Sequence, residues 1–492
     1  MNKDSTNKSV AIIGSGVAGI ATSIRLANDG FDVTVFEKEA TFGGKLGVLE
    51  LGGYRFDTGP SLFTMPQYVD ELLNIDGKKD VEFGYTELQE VCNYFWDDKT
   101  RLNVTNDTEQ LAASFEKQLG ESKENVKRFL NRSKEIYEIT DHVFLQSSLH
   151  KLKTYLKKKT LKSLLKLHKI GLLKSMNKAN TSYFKTEKAA QFFNRYSTYN
   201  GSNPFQAPAT LNVIQHYETG FGAFFPTNGM RSIIEALHHK AIGLGVKFIL
   251  NTPINNVAKE EGAYLINNKD KFDFCVCNID ISSAAKGPLT GLLSKTKKSY
   301  TPSSSALIFY WGMDRQFEEL TTHNVFFSKN YRSEFDTLFN DRGISKDPTV
   351  YVHISSKVKT TDAPKNAENW FVMVNAPYTN DQDWDSIIAE TRTAIIKKVS
   401  DQLKVDIEAH IAVEEMLTPT LIYKKTGSFK GALYGSSSNS ILSAFLRKSN
   451  FSTKHKGLYF VGGSVHPGGG IPLCLLSAKI TSEIIRNNVR KD

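Results

Sequence analysis

The chain has 492 residues, enough for two or three hydrophobic cores, because a single core stops growing at about 250–300 residues. Its 34 Gly, 14 Pro and 31 Phe exclude collagen-like, low-complexity and disordered proteins. No stretch reaches the ~18 consecutive apolar residues that cross a bilayer, and the first ten residues, MNKDSTNKSV, lack the apolar core of a secretory signal. We therefore expect an intracellular protein without a membrane-spanning helix.

The net charge of +10 is concentrated in one segment. Residues 142–186 contain eleven lysines and no acidic residue, whereas the remaining 51 basic residues nearly balance the 52 acidic ones. Leucines recur among these lysines, so the segment predicts amphipathic helices with a cationic face. It carries no nucleic-acid-binding motif, and we expect no nucleic-acid partner.

The four cysteines exclude a disulfide scaffold. Cys275 and Cys277 lie in the apolar stretch KFDFCVCNID, which predicts a buried strand. A single C-x-C provides no second ligand pair for zinc, so we expect structural thiols and no metal site.

The first predicted unit is a strand, a glycine turn, a helix and a second strand. Val10–Ile13 is a short apolar run of the kind that is buried on both faces of a sheet. Apolar residues recur at helical spacing over 20–28, Gly30 ends this helix, and Phe31–Phe36 predicts the second strand. This opening is typical of a nucleotide-binding α/β domain.

The later segments predict a helical region, a second α/β-like stretch and several further strands. Residues 109–195 look mainly helical, and residues 230–278 again alternate helix and strand. The strands predicted beyond them are Ser305–Gly312, Thr349–Ile354, Trp370–Asn375 and residues 457–463, with a last helix from about Leu473. We expect the two ends of the chain to join in one nucleotide-binding domain and the middle to form the substrate side.

The glycine turn points to a dinucleotide. It follows a strand and opens a helix, so its backbone can approach a pyrophosphate and the helix N-terminus can bind the phosphates. Glu37 lies 18 residues after the turn, where a carboxylate accepts hydrogen bonds from ribose hydroxyls and repels the 2′-phosphate of NADP. The predicted cofactor contacts in this unit are Gly14, Gly16, Val17, Ala18, Gly19, Glu37 and Lys38.

A second glycine-rich stretch indicates a longer cofactor than NAD. The sequences FGGK at 42–45 and GYRFDTGPS at 53–61 supply further backbone loops, which a flavin dinucleotide needs along its length. A charge at Lys45 suits the diphosphate or the ribityl chain, and we expect Arg55 and Asp57 to form an ion pair within the domain. The predicted contacts here are Gly44, Lys45, Gly59, Pro60 and Ser61.

With the C-terminal sequence GLYFVGGSVHPGGGIPLCLLSAK, these motifs resemble the bacterial-type phytoene desaturase family of amine-oxidase-like flavoproteins. Matching stretches at 199–204, 222–230 and 429–435 extend the resemblance over nearly the whole chain. It implies an α/β fold with a discontinuous, Rossmann-like FAD-binding domain, a mixed-sheet substrate domain and a helical membrane-facing region. The implied boundaries are 1–88, 226–300 and 445–492 for the FAD domain, 89–108 and 301–444 for the substrate domain, and 109–225 for the helical region.

The resemblance also implies further cofactor contacts. Gly462 and Gly463 would meet the diphosphate and ribityl chain, Pro472 and Leu473 would lie beside the flavin ring, and the backbone of Val257 would meet the adenine. For His466 we expect a loop-shaping role, and no catalytic residue is singled out.

The implied activity is FAD-dependent desaturation of a carotenoid, with hydride passing from an allylic carbon to the flavin and a proton leaving the adjacent carbon. The C-terminal motif resembles most the enzymes that carry out 3,4-desaturation of a 1′-hydroxycarotenoid, and phytoene desaturation is the alternative. Carotenoid isomerases, amine oxidases and prenyl-binding escort proteins share parts of the pattern. The terminal electron acceptor, oxygen or quinone, and the oligomeric state stay open.

A carotenoid substrate implies a membrane partner. The basic segment 142–186 is the candidate for attachment, since lysines attract anionic lipid and leucines can enter the headgroup region. We therefore expect a cytoplasmic protein held peripherally at the inner face of the cell membrane.

Overall fold

The computed structural model describes residues 8–293, 301–441, 443 and 447–490. The strands are β1 (Ser9–Ile13), β2 (Asp32–Phe36), β3 (Val48–Leu51), β4 (Tyr54–Asp57), β5 (Tyr85–Glu87), β6 (Glu90–Phe95), β7 (Arg101–Thr105), β8 (Phe224–Pro226), β9 (Lys247–Ile249), β10 (Val257–Glu260), β11 (Ala263–Ile266), β12 (Asp270–Phe272), β13 (Phe274–Cys277), β14 (Ser305–Met313), β15 (His323–Phe326), β16 (Val350–Ile354), β17 (Glu368–Ala376), β18 (Ile411–Leu417) and β19 (Leu458–Phe460).

The helices are α1 (Val17–Asn28), α2 (Gln67–Leu73), α3 (Thr108–Leu119), α4 (Lys123–Thr140), α5 (Leu152–Tyr155), α6 (Lys158–Leu165), α7 (Met176–Tyr183), α8 (Glu187–Asn194), α9 (Val213–Thr219), α10 (Arg231–Gly243), α11 (Ile281–Lys286), α12 (Tyr331–Asp336), α13 (Trp384–Leu403), α14 (Pro419–Thr426) and α15 (Ile471–Val489).

A five-stranded parallel sheet joins the beginning, middle and end of the chain. Its order is β19-β13-β1-β2-β9, and every neighbouring pair is parallel. Val10 and Ile12 of β1 face one core and Ala11 and Ile13 face the other, because successive side chains of a strand point to opposite faces. The predicted α/β fold with a discontinuous nucleotide-binding sheet is confirmed.

Different elements cover the two faces of this sheet. Residues of α1, α10 and α15 pack against Val33 and Val276 on one face. The antiparallel sheet β10-β11-β12 contributes Tyr264 and Ile266 to the core on the other face, beside Ala284 of α11. The domain boundaries predicted around this sheet stay predictions, and those at 300/301 and 444/445 fall outside the described residues.

A seven-stranded mixed sheet forms the second half of the molecule, with the order β18-β14-β17-β16-β15-β6-β7. Its pairs are antiparallel apart from β15 with β6. The fully buried β14 sends Phe309 and Trp311 to the face covered by α13 and Ile308 and Tyr310 to the opposite face. The second face borders the candidate site.

Helices α3, α4, α7, α8 and α9 pack beside β6 and β7 through an aromatic core that includes Phe115, Phe129 and Phe192. Within the described ranges, no helix is both long and apolar enough to cross a membrane. In the basic segment, Leu156 is 78% exposed and Leu173 is 92% exposed. These leucines contribute nothing to the core, so the apolar residues of the segment do not all face the protein.

Candidate functional site

A cavity of about 1360 Å³ lies between the two large sheets. The C-terminal ends of β1 and β2 border it on one side, which is where ligands bind to open parallel sheets. Residues of β14, β16 and β17, among them Ile308, Tyr351 and Met373, line the other side. The volume exceeds the ~300–1,000 Å³ of ordinary ligand pockets, so the cavity has room for a dinucleotide and a second ligand.

The glycine turn brings both ends of the chain to this cavity. Gly19 packs so closely that a Cβ there would lie 2.2 Å from the Gly14 carbonyl oxygen. The Asn278 amide donates to that same oxygen at 3.1 Å. Gly462, with φ +106°, approaches from the other end of the chain, and a Cβ there would lie 2.7 Å from the Asn278 Oδ1. Close backbone approach therefore requires glycine at these positions.

Glu37 is buried at the end of β2 and is oriented by the turn. Its Oε2 accepts from the Ser15 N–H at 2.8 Å and the Ser15 hydroxyl at 2.7 Å, and its Oε1 accepts from the Glu39 N–H at 3.2 Å. A carboxylate has about four acceptor positions, so capacity remains for a ligand hydroxyl. The predicted contact with the ribose stays a prediction.

Lys45 provides a partly buried amine on the cavity wall. Its Nζ donates to the Leu433 carbonyl at 2.7 Å. Burial lowers the pKa of Lys45, and the nearby Asp280 opposes that shift. Burial likewise raises the pKa of Asp280, whose carboxylate caps α11 by accepting from the N–H groups of Ser282 and Ser283.

Two helix N-termini border the cavity. Val17 and Ala18 begin α1, and Pro472, Leu473 and Cys474 lie in the first turn of α15; all five residues line the cavity. Each N-terminus carries a partial positive charge and unpaired N–H groups that stabilise anionic ligands such as phosphates.

Most of the predicted contacts line this one cavity. They are Gly14, Gly16, Val17, Ala18, Glu37, Lys38, Gly44, Lys45, Gly59, Pro60, Ser61, Gly462, Gly463, Pro472 and Leu473. Gly19 lies behind the turn and Val257 lies in β10, and neither borders the cavity. The Val257 N–H donates to the Pro288 carbonyl at 2.9 Å, and its side chain is buried in the core. Residues 252–255, which precede β10, line the cavity in place of Val257.

Two other predicted roles can be compared with the geometry. His466 Nε2 contacts the Ser147 carbonyl at 2.9 Å, and burial lowers the pKa of His466 to about 4, so the ring is neutral at pH 7. These contacts fit a loop-shaping role. Arg55 pairs with Asp57 at 3.1 Å and with Asp362 at 3.4 Å, which is the expected ion pair extended to a second carboxylate.

Sequence reasoning missed Arg447, a buried cation of the site. It donates to the carbonyls of Tyr434, Ser436 and Gly463 and to the Asn200 side chain at 2.8–3.1 Å. Burial lowers its pKa to about 10. The sequence offered one signal for Arg447: it lies between the stretches 429–435 and 457–475, both of which carry the family resemblance.

Sequence reasoning also missed a group of polar side chains on the wall away from the glycine turn. We call them the polar cluster; its members are Ser61, Arg195, Tyr199, Glu218, His323 and Tyr351. Ser61 was predicted, but as a cofactor contact. Tyr199 opens the stretch 199–204 that carries the resemblance, whereas no local pattern marks the other members.

A dinucleotide-type turn on one wall of the cavity and a wall of side chains facing it, with room for a second ligand between them, are typical of a cofactor-dependent oxidoreductase. The chain belongs to the family described as flavin containing amine oxidoreductase, which matches residues 17–486. Family membership makes FAD the cofactor and the protein an FAD-dependent oxidoreductase, as predicted. The cavity fits FAD, because it combines two helix N-termini for the phosphates with a free acceptor position on Glu37.

The chain is 42% identical over 491 residues to a 1-hydroxycarotenoid 3,4-desaturase from Flavobacterium sp. (strain P99-3), covering 98% of this chain and 99% of that protein. It is 30% identical to a 4,4'-diapolycopene oxygenase from Methylomonas sp over 97% and 98% of the two chains. It is 29% identical to a phytoene desaturase from Fusarium fujikuroi over 97% and 89%. The predicted resemblance to carotenoid desaturases is confirmed.

Among solved structures, the chain resembles cyclohexylamine oxidase from Brevibacterium oxydans IH-35A with a TM-score of 0.62. The match covers 98% of this chain and 100% of that chain at 13% sequence identity. At this identity the likeness shows the fold.

Proposed function

We propose that the protein is an FAD-dependent carotenoid desaturase that acts on the hydroxylated end of a 1′-hydroxycarotenoid and introduces a double bond between the third and fourth carbons of that end. The observation that carries this proposal is the 42% identity, over nearly the full length of both chains, to a 1-hydroxycarotenoid 3,4-desaturase. The large cavity supports it, because a long polyene needs a chamber beyond the cofactor.

The chain's own contribution to this reaction is an enclosed, oriented and mostly apolar site. Ile308, Tyr310, Phe371 and Met373 project from the mixed sheet onto the cavity wall. Such a wall excludes water and holds the reacting carbons in place, which supplies much of the rate enhancement. FAD, when bound, supplies the two-electron oxidation. A conjugated polyene spreads developing positive charge over many carbons and makes the adjacent C–H acidic, so a weak base suffices to accept the proton that leaves.

Two substrates test the proposal. Purified, flavin-loaded protein is incubated with liposomes that contain either a 1′-hydroxycarotenoid or phytoene, and products are followed by polyene absorption and mass. We expect the hydroxycarotenoid to lose two hydrogens and absorb at longer wavelength. Conversion of phytoene alone would favour the alternative, a phytoene desaturase, which is supported by the 29% identity to the Fusarium fujikuroi enzyme. An unchanged mass indicates isomerisation, and added oxygen indicates oxygenation; either result would reject desaturation.

We also propose that the basic segment attaches the protein to anionic membranes. On α6, Thr160 is buried while Leu161 and Leu165 are exposed, and the neighbouring lysines are exposed too. Exposed leucines flanked by cations match the chemistry of an anionic bilayer surface, where each lysine contributes about 1 kcal/mol. A bilayer-resident substrate would then reach the cavity from the lipid.

Cosedimentation with anionic liposomes tests this attachment. Reversing the charges of Lys157, Lys158 and Lys159 to Glu should reduce binding at least tenfold at low salt. The matched control reverses the exposed Lys269, Lys346 and Lys365, which gives the same net charge elsewhere on the surface. Equal binding by the two triple variants would reject attachment through this segment.

A further inference from the structure

The polar cluster is unusual in a chamber whose proposed ligand is a hydrocarbon. The first part of the cluster is a continuous hydrogen-bonded row. Ser61 Oγ lies 2.7 Å from the Tyr351 hydroxyl, and that hydroxyl lies 2.7 Å from His323 Nδ1. His323 is only 3% exposed, while Ser61 and Tyr351 are partly exposed on the cavity wall. The row therefore begins beside Gly59 and Pro60, on the side predicted to contact the cofactor.

The second part of the cluster is a buried charge pair with tyrosines. Arg195, 6% exposed, donates to the Tyr199 hydroxyl at 2.9 Å, and its guanidinium lies 3.8 Å from Glu218. Glu218, 2% exposed, accepts from the hydroxyls of Tyr196 and Tyr199 at 2.7 Å each. One cation and one carboxylate cancel, so this wall carries hydrogen-bonding groups without net charge.

The electrostatics of the polar cluster favour an uncharged ligand group at this position. His323 lies beside Arg195 and stacks on His353, and burial followed by these two neighbours lowers the pKa of His323 well below its usual range. Its ring is therefore neutral. A neutral cluster with both donors and acceptors suits a hydroxyl group, which donates and accepts, better than an ammonium or a carboxylate.

The polar cluster also contains polar atoms that are available for further hydrogen bonds. Within the described part of the chain, His323 Nε2 and Arg195 Nε are buried atoms without a hydrogen-bond partner. Buried polar atoms in folded proteins are nearly always paired, and an unpaired one commonly marks a place where a ligand or a water completes the network.

We propose that the polar cluster binds the hydroxyl group of the carotenoid and thereby determines which carbon–carbon bond is placed at the cofactor. This inference rests on the proposed function and names the residues that would give it specificity. An apolar rod can slide along an apolar tunnel, so a single polar anchor fixes its position. Tyr351, His323 and Tyr199 are the specificity-determining residues.

The position of the cluster agrees with the chemistry of such a substrate. At the hydroxylated end of the molecule, only the second carbon separates the hydroxyl-bearing first carbon from the bond between the third and fourth carbons. The binding site of the hydroxyl must therefore adjoin the cofactor side of the cavity. The cluster meets this requirement through the hydrogen bond between Tyr351 and Ser61, which is a predicted cofactor contact.

The test compares two substrates in matched tyrosine variants. Values of kcat/KM are measured for a 1′-hydroxycarotenoid and for the same polyene without the hydroxyl, together with Kd values from quenching of tryptophan fluorescence. We expect wild-type protein to favour the hydroxylated substrate about 10- to 100-fold, because a site built for a hydroxyl rejects the analogue that leaves it unpaired. Tyr351→Phe should reduce this ratio at least about tenfold.

The control is Tyr54→Phe, which removes a buried hydroxyl that donates to the Met313 carbonyl at 3.1 Å and does not line the cavity. Its substrate ratio should equal that of wild type. If Tyr351→Phe fails to fold or to retain flavin, Tyr199→Phe tests the second half of the cluster. A wild-type-like ratio in a flavin-loaded cluster variant overturns the inference, and so does a wild-type enzyme that turns over both substrates equally. A wild type that desaturates neither substrate instead overturns the proposed function.

Discussion

The two walls of the cavity are built differently. The cofactor wall consists largely of backbone: the glycine turn, the Gly462 approach and the first turns of α1 and α15. The substrate wall consists of side chains that the mixed sheet and the helical region bring together from distant parts of the chain. In the sequence, a wall made of backbone is marked by a short local motif, whereas a wall made of side chains is marked only by scattered residues. Single substitutions should therefore have larger effects on the cofactor wall than on the substrate wall.

The largest effect is expected at Gly19. Gly19→Val would place a Cβ 2.2 Å from the Gly14 carbonyl oxygen, so the turn cannot keep its shape. We expect the purified variant to retain less than a tenth of the wild-type flavin, measured from flavin absorption per protein. The control is Gly243→Ala at the end of α10, where a Cβ meets no atom within 4 Å. Full flavin content in Gly19→Val would contradict the close-approach argument.

Substitution of Arg447 tests whether the stability of one wall depends on the other. Its guanidinium hydrogen-bonds both to backbone carbonyls of residues 434, 436 and 463 and to the side chain of Asn200. Arg447→Gln leaves several buried acceptors unpaired, at about 1–3 kcal/mol each, so we expect a loss of at least about 3 kcal/mol in the free energy of unfolding. Arg447→Lys should lose less, since it keeps the charge but not the planar fork of donors. Urea denaturation measures both, and an unchanged midpoint in Arg447→Gln would show that the walls are independent.

A pH effect of intermediate size is expected at His466, which links the C-terminal loop to Ser147 of the helical region. Burial lowers its pKa to about 4 from 6.5, so the unfolded chain takes up a proton at a higher pH than the folded one. Its contribution to stability is present above pH ~6.5 and is lost as the pH falls toward 4. Between pH 7.5 and 5 this amounts to about 2 kcal/mol.

His466→Asn should therefore show a flatter dependence of the unfolding free energy on pH over this interval, by about 2 kcal/mol. Denaturant titrations at several pH values measure the slope. Parallel curves for the variant and the wild type would mean that other groups account for the acid sensitivity.

The smallest effect is expected in the basic segment. Leu173 is 92% exposed, so Leu173→Ser should change the free energy of unfolding by less than about 0.5 kcal/mol. The matched Ile170→Ser, at a fully buried position three residues away, should cost about 3 kcal/mol or more. Thermal unfolding without lipid compares them, and a large cost at Leu173 would place that side chain against the protein.

The contrast between local motifs and contacts between distant segments also explains which parts of the fold could be predicted from the sequence alone. The strands β1, β2 and β14 lie within about one residue of their predicted bounds, because their apolar runs are local and unambiguous. Helix α1 begins at Val17 and not at Ile20, since the glycine turn already supplies its first residues. The strand order of the mixed sheet could not be predicted, because pairing such as β15 with β6 joins segments far apart in sequence.

The candidate site divides in the same way. The glycine turn, Glu37 and the first turn of α15 reach the cavity as the motifs indicate. Val257 does not, because the position that borders the cavity depends on where the chain turns before β10 and not on the strand itself. Arg195, Glu218 and His323 lie on separate elements, and their proximity is a product of tertiary packing alone.

The strand order β19-β13-β1-β2-β9 has a consequence for synthesis on the ribosome. Strand β1 is translated before the helical region and the mixed sheet, yet its sheet is completed by β19, and the cavity wall by α15, only after them. The nascent chain can therefore assemble its helical and mixed-sheet parts before it can retain the flavin, because domains fold as units once their residues have emerged. Cofactor capture is thus a late event, and prematurely terminated chains that lack β19 and α15 should be apoproteins.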